Sequence, residues 1–172
     1  MKRADKKSGG RIYKFLRTKG KKYRSRGVSI DDRPKIVDEK SRIGDWEIDT
    51  LIGKNHKQAL VAIVERKSKF SLMRKGENKT AELVAVATTT IELLRPDKDR
   101  VLTLTADRGK EFAYHEKVAK ALEFDYYFAP PYSCWQPGLN ENTNGLIRQF
   151  LPKKSRFEEV TERSVKRVKG LL

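Results

Sequence analysis

Apolar and polar positions follow two different periods along residues 44–152, and each change of period marks an element. Residues 46–52, a strand, set Trp46, Ile48, Leu51 and Ile52 among Glu47 and Asp49, with Asp45 just before it. "QALVAIVER", residues 58–66, is a continuous apolar run of strand length, rich in Val and Ile. "SKFSLMRK", residues 68–75, alternates Phe70 and Leu72 with polar neighbours. The short connections between these three suit an antiparallel meander. The period then lengthens: "KTAELVAVATTTIELL" puts Leu83, Val84, Ala87, Ile91 and Leu94 on one helical face, with Thr80 as N-cap and Pro96 as the stop. "RVLTLTAD", residues 100–107, is a fourth strand that ends on an acid. "HEKVAKALEF" reads as a helix with Val118, Ala119 and Leu122 inward, and "YYFAPP" as a short fifth strand closed by Pro130 and Pro131. After the loop "YSCWQPGLN" a helix starts near Asn140 and runs to Pro152, and "TERSVKRVKGLL" is a last helix. This order predicts an α/β fold: a mixed five-stranded sheet, three antiparallel strands and then right-handed crossover units, flanked by helices.

Charge divides the chain further. Residues 1–27 carry 12 Lys/Arg against one acid, residues 44–151 carry 16 against 15, and residues 152–172 carry 7 against 3, so the formal +16 sits at the two ends. The expected organisation is therefore a basic extension over residues 1–43, a core over 44–152, and a basic helical segment over 153–172 that is cut off by the chain end. Within the extension "RIYKFLRT" spaces Ile12, Phe15 and Leu16 as a short helix, whereas "KKYRSRGVSIDDRP" reads as irregular, with Gly27 and Pro34 as breakers. Blocks of like charge stay solvated and commonly bind nucleic acid; a tail that only confers solubility is the plainer alternative. No stretch has the apolar length of a membrane span, and "MKRADKKSGGR" lacks the apolar centre of a signal peptide. One cysteine, Cys134, forms no internal disulfide and suits a cytoplasmic setting. His56 and His115 are expected at the surface, and with Cys134 they make no structural zinc site.

The acids carry the candidate chemistry. Asp49 stands in the middle of the first strand, Asp107 at the carboxyl end of the fourth, where ligand sites of open α/β sheets gather, and Glu141 opens the helix after the fifth. Carboxylates brought together repel unless a hard cation such as Mg²⁺ is bound between them. The competing reading is ordinary: an Asp near a strand end forms turns, and a Glu near a helix N-terminus favours the helix dipole.

"GDWEIDTLIG", "ALVAIVERKSKF", "LTADRGKEFA" and "PPYSCWQPGLNENTNGLIRQFLPK" together resemble the catalytic core of bacterial insertion-sequence-thirty transposases, over residues 42–161. That family lies within the Asp-Asp-Glu transposase and retroviral integrase superfamily. The resemblance implies a ribonuclease H-like core in which Asp49, Asp107 and Glu141 are catalytic and bind two Mg²⁺ or Mn²⁺ ions. The last two acids are separated by residues 108–140, the family's spacing. It further implies metal-dependent DNA strand cleavage and strand transfer at insertion-sequence ends, with terminal repeats and target DNA as partners, a homo-oligomer on DNA, and a bacterial cytoplasmic, nucleoid-associated location. Two features depart from the family. Arg108 stands where Asp-Asn-Gly is usual, so it either contacts a phosphate or weakens metal binding. The family's N-terminal helix-turn-helix region has no room before Arg11, so the chain resembles a catalytic-core fragment.

Around the acids, Glu141, Asn144, Gly145 and Arg148 share one helical face, and Asn144 and Arg148 either hold DNA phosphates or are simply solvated. Leu146, Ile147 and Phe150 are expected in the core with Trp46 and Phe112. Tyr132, Trp135 and Gln136 lie in the preceding loop, where aromatics stack on unpaired bases or, for Trp135, pack inward. Arg108, Lys153 and Lys154 complete the expected DNA contacts. Asp45 and Glu47 share the face of Asp49 and could support it; Glu111 could assist from the turn after Asp107. The alternatives are a truncated, non-catalytic DNA-binding fragment that regulates transposition, or a ribonuclease H-like nuclease.

Overall fold

The acid-threaded run is a strand paired on both sides. In the computed structural model, which describes residues 27–54, 58–76, 82–130, 138–153, 155–157 and 159–170 (backbone alone at 82 and 138–141), strand β2 spans Asp45–Ile52. It pairs antiparallel with β3, Ala59–Glu65, which pairs antiparallel with β4, Ser71–Lys75. On its other edge β2 runs parallel to β5, Thr103–Ala106, and β5 parallel to β6, Asp125–Phe128. The five expected strands are present. A sixth, β1, Val28–Ser29, adds to the β6 edge in parallel, giving the order β1-β6-β5-β2-β3-β4. The sheet is thus six-stranded rather than five-stranded. A two-residue strand has no period of its own to be read, and its placement comes from the ladder that β6 leaves open.

β1 and a short 3₁₀ turn, Ile30–Asp32, lie within the stretch read as irregular, and helix α1, Lys35–Glu39, follows them with Val37 fully buried. Helix α2 spans Glu82–Leu94 and passes into a 3₁₀ turn containing Pro96; Thr80 lies outside the described residues. Helix α3, His115–Leu122, ends on Glu123 in the left-handed conformation. Helix α4 spans Gly138–Phe150, and helix α5, Glu162–Lys169, is capped by the Thr161 hydroxyl, which accepts from Ser164 N at 3.2 Å. The β3–β4 turn is held by Glu65, whose carboxylate accepts from the amides of Lys67 and Ser68 at 3.1 and 2.6 Å. Strand β4 therefore starts after Phe70, which stays half exposed, edge-on to Trp46.

Alternation on β2 divides the core. Trp46 and Ile48 join Ile63, Ile91, Leu94, Phe112 and Leu122 beneath α2 and α3. Leu51, with Leu60 and Met73, faces the other way toward Ile147, Phe157, Val165 and Val168. The acids of β2 share this second face. No helix among the described residues is long and apolar enough to cross a membrane.

Candidate metal and nucleic-acid site

Three acids stand at alternate positions on one face of β2, and two of them are neutralised by arginines. Asp45, wholly buried, accepts from Arg42 Nε at 2.8 Å and Nη2 at 3.0 Å, and from the Thr103 hydroxyl at 2.8 Å. Glu47, also buried, pairs with Arg66, whose Nε donates to Val37 O at 3.1 Å. Asp38 lies 3.8 Å from Arg66 and pairs with Arg33, which donates to Thr105 Oγ1 at 2.8 Å. Burial and the neighbouring Arg66 charge lower the Arg33 pKa.

Among the described residues Asp49 forms no ion pair. Its Oδ1 accepts from the Thr50 amide at 2.7 Å and its Oδ2 from Asn144 Nδ2. Burial pushes its carboxyl up to about 6 against these two bonds, and the charges of Asp107 and Glu111 add to the rise.

Asp107 reaches this place through strand register. Asp45, Trp46 and Glu47 stand opposite Thr103, Leu104 and Thr105, and Asp49 and Asp107 each follow two residues past the last pair, near enough for the Asp107 charge to raise the Asp49 pKa. Neighbouring strands lie about 4.8 Å apart. Asp107 is exposed, and its Oδ1 accepts from Gly109 N at 2.9 Å, which shapes the turn. In the same turn Glu111 Oε1 accepts from the Thr50 hydroxyl at 3.1 Å.

Helix α4 is seated by Ile147, fully buried against Leu51, Leu60 and Ala62. That seating turns Asn144 to Asp49 and puts the backbone of Glu141 one turn earlier on the same face. Arg148, a turn later, donates to Ile52 O and Leu151 O, both at 3.4 Å. Burial lowers its pKa while the Asp49 charge raises it.

Several expectations are corrected. Leu146 and Phe150 are exposed, at 38% and 48%, because Ile147 and Leu151 take the inward face of the helix. His115 is buried rather than at the surface: it packs on Tyr126 and Phe128, and its Nδ1 donates to Phe112 O at 3.0 Å. Trp46 and Phe112 are buried as expected. Arg108 and Lys153 are exposed; His56, Tyr132, Cys134, Trp135, Gln136 and Lys154 lie outside the described residues, as does the Glu141 side chain. Sequence reasoning missed Arg33, Arg42 and Arg66. The available signal was three alternating acids on a central strand, which demand cations from somewhere.

Among the described residues no three His, Cys, Asp or Glu side chains group closely enough to hold a metal ion. The donors around Asp49 nevertheless suit a hard cation. They are carboxylate oxygens, and Asn144 Oδ1 is buried there with no hydrogen-bond partner among the described residues.

No protein-family model matches the chain. It is 46% identical to the transposase for insertion sequence element IS4351 of Bacteroides fragilis, over 98% of this chain and 55% of that protein. It is 36% identical to the transposase InsI for insertion sequence element IS30C of Escherichia coli, over 79% of this chain and 35% of that protein. A putative integrase of Spiroplasma virus SpV1-R8A2 B is 32% identical over 91% of this chain and 51% of that one. The chain thus spans between a third and somewhat over half of these relatives' lengths. Among solved structures, a chain of the simian T-cell lymphotropic virus intasome in complex with PP2A regulatory subunit B56 gamma matches with a TM-score of 0.54 at 17% identity, covering 73% of this chain and 46% of that one. That likeness is one of fold, and the fold is ribonuclease H-like.

Proposed function

We propose that this chain, whose sequence places it in the insertion-sequence-thirty family of transposases, carries out divalent-metal-dependent cleavage and transfer of DNA strands through Asp49, Asp107 and Glu141. The observation that carries the reading is the contrast along β2. Asp45 and Glu47 are buried and each pairs with an arginine, whereas Asp49, half-buried and near the Asp107 charge, forms hydrogen bonds with Thr50 and Asn144 and no ion pair among the described residues. A carboxylate drawn out of water without a paired cation raises its own pKa, and such groups cluster at functional sites.

Asp49, Asp107 and Glu141 would hold the ions, with Asn144 fixing one oxygen of Asp49 and Thr50 the other. Bound there, divalent ions supply charge neutralisation for the attacking and leaving oxygens at phosphorus. In the first reaction water attacks the phosphodiester at the element end and releases a 3′-hydroxyl. In the second, that hydroxyl attacks a target phosphodiester and displaces the target's own 3′-oxygen. Neither reaction needs a covalent protein intermediate or a nucleotide cofactor. Arg108, Asn144, Arg148 and Lys153 would position the DNA strand, with Tyr132, Trp135, Gln136 and Lys154 from the neighbouring segments. Joining two element ends calls for more than one copy of the chain on the DNA.

The test is incubation of the protein with element-end DNA and Mn²⁺. Nicking or strand joining that disappears in Asp49→Asn supports the reading. Salt-sensitive DNA binding by both proteins, with cleavage by neither, would leave a DNA-binding regulator instead.

A further inference from the structure

We infer that Glu111 is a positioning residue for Asp49, joined to it through Thr50, and that Gly109 lacks a side chain to let this link form. The inference rests on the metal-dependent reading above and deepens it.

Thr50 makes two bonds in two directions. Its amide donates to Asp49 Oδ1 at 2.7 Å, and its hydroxyl donates to Glu111 Oε1 at 3.1 Å. The second bond ties β2 to the 3₁₀ turn Lys110–Phe112 that follows β5, across 61 residues of sequence. The ordinary ladder between β2 and β5 stops at Glu47 and Thr105, short of both Asp49 and Asp107. Beyond that point the Thr50–Glu111 bond holds the two strand ends together, so it bears on how the two carboxylates face each other.

The turn is shaped around this contact. Asp107 Oδ1 accepts from Gly109 N at 2.9 Å, which folds the chain back. The Glu111 carboxylate then lies over Gly109: a Cβ added there would meet its Oε2 at 2.3 Å and its Oε1 at 2.6 Å. Gly109 has a φ of −62°, which any residue can adopt, so space and not backbone conformation requires glycine here. A methyl group would push the flexible Glu111 side chain off Thr50 while leaving its charge in place.

Mn²⁺ titration of the metal-free protein by calorimetry reads the effect without any reaction. Glu111→Ala, Thr50→Val and Gly109→Ala are each expected to weaken Mn²⁺ binding about tenfold or more, as loss of support behind a metal ligand does. Glu111→Gln and Thr50→Ser keep the acceptor and the donor, and are expected to stay within about threefold of wild type. Wild-type affinity in Glu111→Ala would overturn the inference. So would equal losses in Glu111→Gln and Glu111→Ala, since charge rather than positioning would then be at work. Asp49→Asn separates the two levels: if it binds Mn²⁺ like wild type, the metal reading itself fails, whatever the Glu111 variants do.

Discussion

Asn144 donates its side-chain amide to Oδ2 of Asp49, joining α4 to the central strand across 95 residues of sequence. This bond and the Thr50 amide occupy both oxygens of a carboxylate that has no ion-pair partner among the described residues. Its neighbours on the same strand face, Asp45 and Glu47, are each held by an arginine. The free energy stored at this one position makes the site measurable without a reaction.

The first expected outcome concerns pH. The folded state holds the Asp49 proton up to about pH 6, whereas the ordinary value is 3.8. Folding therefore bears the full cost of the ionised group above pH 6, about 3 kcal/mol, and recovers it as pH falls from 6 toward 3.8. In chelator at pH 7.5, Asp49→Asn is expected to raise the melting temperature, and to lose the wild type's gain on acidification over that window. A lower melting temperature for Asp49→Asn at pH 7.5 would count against the assignment.

His115 acts with the opposite sign. Burial holds its imidazole below the ordinary 6.5, so the folded state binds fewer protons than the unfolded chain. Stability from this group is complete above pH 6.5 and is lost as pH falls below it. In Asp49→Asn, where the opposing Asp49 gain is absent, denaturant unfolding between pH 7.5 and 5 should therefore show an acid-side loss that adding His115→Phe removes. Identical slopes for wild type and His115→Phe would mean that His115 does not carry the effect.

The buried Glu47–Arg66 pair is expected to be costly to break on one side. Arg66→Met leaves Glu47 ionised in the interior and should lower stability by about 3–5 kcal/mol, while Arg66→Met combined with Glu47→Leu should recover much of it. The half-exposed Arg74–Glu92 pair, at 2.8 Å, is the control, and its removal should cost no more than about 1 kcal/mol. Chemical denaturation of the four proteins decides the comparison; equal losses at the two pairs would sink it.

DNA binding should report the basic face of α5. Val165 and Val168 are buried, whereas Arg163, Lys166 and Arg167 are exposed. Reversing Arg163, Lys166 and Arg167 together to Glu is expected to weaken binding uniformly across DNA sequences and to flatten the plot of log affinity against log salt. An unchanged salt slope, measured by fluorescence anisotropy, would place the DNA elsewhere.

The sheet was largely legible because strand-length apolar runs and period-two alternation are local properties. The parallel placement of β5 beside β2 follows from the same pattern, since a crossover helix stands between the meander and that strand. Elements without a period were not legible: β1 has two residues, and Val37 sits in a five-residue helix too short to show one. On α4 the apolar positions were visible, but not which of them faced inward. Ile147 is buried and Leu146 is not, because rotation of the helix was set by the sheet it packs on.

By itself, the sequence determined the strand pattern, the basic ends, and the three acids at Asp49, Asp107 and Glu141 as a candidate set. Only the tertiary structure decided which acids on β2 are neutralised: Arg42 and Arg66 reach Asp45 and Glu47, and among the described residues no arginine forms an ion pair with Asp49. The reason is physical. Periodicity is fixed by backbone geometry over a few residues, but a counter-ion is chosen by whichever side chain the packed chain brings within about 4 Å, and that choice is made across the whole fold.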